Sequence, residues 1–141
     1  MRSLACSVVV VMQTQHEGPR ARVVVIDDNA AVRGVLCDLL ESLGLEVHEA
    51  ATGPEGLRLF AEHRCDLIVT DLVMPGMTGW DVVTAARRWV PLPAVVVVSG
   101  SATDQDLERA RVLEVPFVPK PIQFEDLEGA VEQALRRTRS A

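Results

Sequence analysis

Leu67-Ile68-Val69-Thr70-Asp71 is a short apolar run that stops abruptly on a carboxylate, and three other stretches repeat the design. Val23-Val24-Val25-Ile26 runs into Asp27-Asp28. Ala94-Val95-Val96-Val97-Val98 runs into Ser99-Gly100, and Val115-Pro116-Phe117-Val118 runs into Pro119-Lys120-Pro121. Strands that are apolar throughout are buried on both faces, as in parallel sheets covered by helices. A fifth, weaker run, Leu45-Glu46-Val47-His48, alternates apolar and polar residues and so belongs at a sheet edge.

The segments between these runs carry helical spacing. Val32, Val35, Leu36, Leu39, Leu40 and Leu43 form one apolar stripe, closed by Gly44 as a C-terminal cap. Thr52-Gly53-Pro54-Glu55 has the form of a capping box opening a second helix through Leu57 and Phe60. A third helix is expected from Gly79 to Trp89, a fourth from Thr103 to Leu113, and a fifth from Phe124 to about Arg137. That fifth helix puts Phe124, Leu127, Val131 and Leu135 on one face. Strand and helix alternating at this length predict an α/β sandwich with right-handed crossovers.

In such a sheet the carboxyl ends of the strands share one rim, and ligands bind there. The polar residues ending the apolar strands are Asp27, Asp28, Asp71, Ser99 and Lys120. Taken singly, each has an ordinary explanation. Asp28 or Asn29 would cap the first helix, Lys120 would be a solvated charge, and Ser99-Gly100 a turn. Gathered on one rim, three carboxylates repel one another and invite a hard, oxygen-seeking cation. Magnesium suits them, because it accepts one or two carboxylates, keeps several waters and shares sites with phosphate. Lys120 and the Ser99 hydroxyl would supply charge and a hydrogen bond to an arriving phosphoryl group, so the set is suited to phosphoryl transfer to a carboxylate.

Over about Arg22 to Arg137 the sequence resembles the receiver domains of bacterial response regulators, in two-component signalling. The resemblance is carried by Val25-Ile26-Asp27-Asp28-Asn29, by the D-x-x-M-P-x-x-x-G stretch from Asp71 to Gly79, by Ser99-Gly100, and by Phe117-Val118-Pro119-Lys120-Pro121. It implies a flavodoxin-like, doubly wound parallel sheet of five strands in the order 2-1-3-4-5, with five helices. It further implies that Asp71 accepts a phosphoryl group from a histidine kinase or phosphotransfer protein. Asp28 and Asp71, with the Val73 backbone carbonyl, would ligate Mg2+, and Asp27 would help directly or through water. Lys120 would pair with the phosphoryl oxygens. Ser99 would move to bond the phosphoryl group, and Phe117 would occupy the switch aromatic position, although a static core aromatic is the ordinary reading of a strand Phe. The Lys120–Pro121 bond is expected to be cis. An effector protein would dock on the fourth helix, fifth strand and fifth helix.

Three rival functions are weighed against the same residues. A phosphohydrolase of the haloacid-dehalogenase type wants a second Asp two positions after the nucleophile, where Val73 stands. A flavodoxin-like cofactor carrier wants a Ser/Thr/Gly-rich phosphate loop after the first strand. A degenerate receiver, acting as a phosphorylation-independent binding module, would lack part of the acidic pair, Asp71 or Lys120. The chain is therefore expected to be no enzyme beyond catalysing its own phosphorylation and dephosphorylation.

With 141 residues the chain has room for one ordinary domain, and a net charge of −6 argues against direct contact with nucleic-acid phosphates. Cys6, Cys37 and Cys65 offer neither a disulfide framework nor a metal knuckle, and His16, His48 and His63 lack ligand spacing. The apolar run from Leu4 to Met12 is too short to span a bilayer and lacks a cleavage site, so a cytoplasmic protein with no membrane contact is expected. Residues 1–21 are expected to be an extension that is disordered or starts too early, with Met12 the nearest internal start, or else to add an edge strand over Ser7 to Val11. The resemblance implies a receiver domain over residues 22–138, expected to have no output domain after it, so that signalling would run through a separate partner.

Overall fold

The structure, a computed structural model, describes residues 20–140. The expectations for residues 1–19 lie outside the described residues. Five strands, β1 (Arg22–Ile26), β2 (Glu46–Ala50), β3 (Leu67–Asp71), β4 (Ala94–Ser99) and β5 (Phe117–Pro119), pair in parallel in the order β2-β1-β3-β4-β5. Five helices alternate with them: α1 (Ala30–Ser42), α2 (Gly53–His63), α3 (Gly79–Ala86), α4 (Asp104–Val112) and α5 (Phe124–Ser140).

Because successive strand residues face opposite ways, the valine runs feed two cores at once. Val23, Val25, Val69 and Val96 pack with Leu36, Leu40 and Leu127 beneath α1 and α5. Val24, Ile26, Ile68 and Val97 pack with Phe60, Trp80 and Val83 on the opposite face. Every residue of β3 and β4 is buried, whereas β2, at the edge, exposes Glu46 and Glu49. Among the described residues no helix is long and apolar enough to cross a membrane.

Several local expectations need correction. The third helix stops at Ala86 rather than Trp89. There the chain tightens into i to i−3 bonds, Arg88 N–H to Ala85 and Trp89 N–H to Ala86, and Trp89 stacks on Phe60 at 5.0 Å. The fifth helix runs three residues past Arg137, to Ser140. β5 begins only at Phe117, because the Val115 N–H is spent closing α4 on the Ala110 carbonyl. Val35 is 50% exposed and stands outside the core. It lies about 100° around the helix from Leu36, on the side opposite buried Cys37, which takes its place.

The caps explain why the helices start where they do. Asn29, not Asp28, caps α1 by accepting from the Val32 N–H. Thr52 accepts from the Glu55 N–H, but only this half of the expected capping box forms. Full boxes appear instead at Thr78/Asp81 on α3 and Thr103/Asp106 on α4. Gly44, at φ 89°, follows α1 in the left-handed conformation expected of a C-terminal cap.

Candidate functional site

At the carboxyl ends of β1 and β3 the backbone delivers Asp27 and Asp71 into the protein, 0% and 7% exposed. Asp28, one residue on, is exposed. Oxygens of all three carboxylates lie within 4.8 Å of one another. Lys120, from just beyond β5, reaches into this group, with its ammonium 3.1 Å from Asp27 Oδ2 and 3.4 Å from Asp71 Oδ2. A single cation thus bridges two buried carboxylates contributed by strands remote in sequence.

The remaining oxygens are held by the backbone. Asp27 Oδ1 accepts from the Asn29 N–H at 2.9 Å, and Asp71 Oδ1 from the Leu72 N–H at 2.8 Å. Burial pushes the Asp71 carboxyl above its ordinary range, partly offset by the Lys120 charge and reinforced by the neighbouring Asp27. Ser99 is 2% exposed, and its Oγ accepts from the Ser101 N–H at 3.2 Å. The Ser99 carbonyl takes the Lys120 N–H at 3.0 Å, which fixes the lysine's backbone to β4. The Lys120–Pro121 bond is cis, as expected.

The loop after Asp71 has a steric reason for its glycines. A Cβ on Gly79 would come within 2.3 Å of the Asp71 carbonyl oxygen and 2.8 Å of Leu72 Cα, so α3 can start this close only on glycine. Gly76 has φ 80°, a conformation other residues rarely adopt. Met74 is buried beneath the loop, and Val73 stands on it 62% exposed.

All of the rim residues expected from sequence therefore converge: Asp27, Asp28, Asp71, Ser99 and Lys120. Phe117 pairs in register with Val97 and is half-buried against the α2–α4 core, below the rim rather than in it. Arg33 was not foreseen. Its guanidinium donates to the Asp27 carbonyl at 2.8 Å and to Glu49 at 2.9 Å, bracing the acidic turn from α1. The one available signal was a cation in the first turn of the helix after an acidic pair.

The donor set fits a hard divalent cation: three carboxylates in reach of one point, one of them open to solvent for retained waters. Such a site next to a lysine can stabilise the charge of a phosphoryl group attached to Asp71.

A family model described as response regulator receiver domain matches residues 23–132. The transcriptional regulatory protein AfsQ1 of Streptomyces coelicolor is 36% identical over 115 residues, 79% of this chain and 50% of that protein. The probable transcriptional regulator ycf27 of Cyanidium caldarium is 32% identical over 122 residues, 83% of this chain and 48% of the relative. The chain spans about half the length of these curated relatives. A solved response regulator receiver domain protein from Clostridium thermocellum superposes with a TM-score of 0.73 at 31% identity, covering 84% of this chain and 97% of the other. The chemotaxis protein CheY4 of Vibrio cholerae gives 0.73 at 26% identity, covering 83% of this chain and all (100%) of that one.

Proposed function

Because the chain belongs to the response regulator receiver domain family, we propose that it is a Mg2+-dependent signalling switch phosphorylated on Asp71 by a histidine kinase or phosphotransfer protein. The carrying observation is the Lys120 ammonium bridging Asp27 and Asp71, with the exposed Asp28 carboxylate alongside.

An Asp71 carboxylate oxygen attacks phosphorus, forming a P–O bond as the donor's P–N bond breaks, and the departing imidazole keeps its electron pair and takes up a proton. Asp28, Asp71 and the Val73 carbonyl would hold the metal, with Asp27 assisting. When bound, Mg2+ supplies positive charge to the phosphoryl oxygens and orients them. Lys120 exchanges its contact with Asp71 for the new phosphoryl oxygens. The Ser99 hydroxyl, 2% exposed at the end of β4, donates to the same group. Phe117, beside Val97 on β5, follows and alters the surface of α4, β5 and α5, where an effector protein docks.

In this reading the chain catalyses only its own phosphorylation and dephosphorylation, in the cytoplasm. The stretch matched in the transcriptional regulators among its relatives is about half of their length. For these 141 residues, with a net charge of −6, direct binding of nucleic acid is not part of the proposal.

The test is incubation with acetyl phosphate and Mg2+, followed by intact mass. Wild type is expected to gain one phosphoryl group as an acyl phosphate, labile to base and hydroxylamine, that fails to form with a chelator present or in Asp71→Asn. If wild type gains none and also fails to bind beryllium fluoride, the reading is wrong and a constitutive binding module replaces it.

A further inference from the structure

Asp106 makes one bond more than a helix cap requires. Its Oδ2 accepts from the Thr103 N–H at 2.9 Å while the Thr103 hydroxyl accepts from the Asp106 N–H at 3.1 Å, which completes the capping box of α4. Its Oδ1 reaches across to α3 and accepts from the Trp80 indole Nε1–H at 2.9 Å. The Arg109 guanidinium lies over the same indole ring, 4.9 Å from its centroid. Trp80 is 8% exposed, and it directly follows Gly79, the residue packed against the Asp71 carbonyl.

The other end of this connection is Ser99. Only Gly100, Ser101 and Ala102 separate it from Thr103, and the Ser101 N–H already ties the loop to Ser99 Oγ. A shift of Ser99 toward a phosphoryl group on Asp71 therefore draws on the loop that leads into the Thr103–Asp106 cap. Trp80, anchored in the core, resists that shift as long as its hydrogen bond to Asp106 is made.

We propose that the Trp80–Asp106 hydrogen bond is a latch that holds the start of α4 in its unphosphorylated position, making both residues positioning residues for the Ser99 switch. The inference rests on the phosphorylation reading above. A contact made in one state and strained in the other biases the equilibrium toward the first, so releasing the latch favours the phosphorylated conformation.

Trp80→Phe keeps a packed ring and removes the N–H donor. Beryllium fluoride with Mg2+ is titrated calorimetrically into wild type and Trp80→Phe, and Trp80 emission is followed in Trp89→Phe, where it is the sole tryptophan. The expected result is binding about tenfold tighter in Trp80→Phe, of the order set by one hydrogen bond to a charged group. Trp80 emission is expected to change on binding. Loss of a merely structural contact would not tighten binding. Equal or weaker binding by Trp80→Phe, or unchanged Trp80 emission on saturation, overturns the latch while leaving the switch standing. If wild type does not bind at all, it is the phosphorylation reading that has failed.

Discussion

At Asp71 burial outweighs attraction. Its carboxyl is raised above the ordinary range by desolvation first, despite the Lys120 charge at 3.4 Å, and Asp27 adds to the shift. An acid whose pKa is higher in the folded state favours folding below its unfolded value. That contribution is lost as pH rises through the folded value. At neutral pH the ionised Asp71 therefore costs stability. Asp71→Asn is expected to unfold at higher temperature than wild type at pH 7 without metal, with the gap closing as pH falls into the ordinary carboxylate range. Thermal unfolding at several pH values checks this, and a less stable mutant at pH 7 would mean that the Lys120 contact outweighs desolvation. The same unfavourable charge suits the site to a metal cation, which relieves it.

The β3–α3 connection shows how an element is positioned by what it lacks. Gly79 opens α3 directly against the Asp71 carbonyl, its N–H bonded to the Leu72 carbonyl at 2.9 Å. Alanine is the better helix former, but here its Cβ would overlap backbone that cannot swing aside. Gly79→Ala is expected to destabilise by roughly 1–3 kcal/mol, the usual scale of overpacking. Denaturant midpoints measure it, and an unchanged midpoint would show that the loop yields freely. The spacing of the motif from Asp71 to Gly79 was legible in the sequence, but its cause was not. Likewise the helical pattern of the third helix continues through Trp89, because periodicity does not reveal the tightened turn that leads Trp89 onto Phe60.

Across the whole molecule, the acidic charge at the rim would link binding of a metal to folding. A cation that binds only the folded state adds about 2.7 kcal/mol at a hundred times its Kd, enough to raise the unfolding midpoint by on the order of ten degrees in a domain this size. Mg2+ is expected to do this for wild type and far less for Asp28→Asn, whose exposed side chain the fold does not need. No stabilisation of wild type by millimolar Mg2+ would remove the metal from the mechanism. The strands, the edge position of β2 and the rim residues were determined by the sequence itself, whereas β5, whose apolar run reads like the central strands, forms the other edge. Wholly apolar β-branched runs alternating with amphipathic helices favour a covered parallel sheet, whose carboxyl ends share a rim. The strand order came from family likeness and the pairing bears it out. Only the tertiary structure decided that Asn29 rather than Asp28 caps α1, that Val35 faces water, that Arg33 braces Asp27, and that Trp80 meets Asp106 across 26 residues. Those outcomes depend on which groups packing brings together, backbone and solvent included. Local periodicity narrows which face a residue takes, with Val35 an exception, but not which neighbour it finds there.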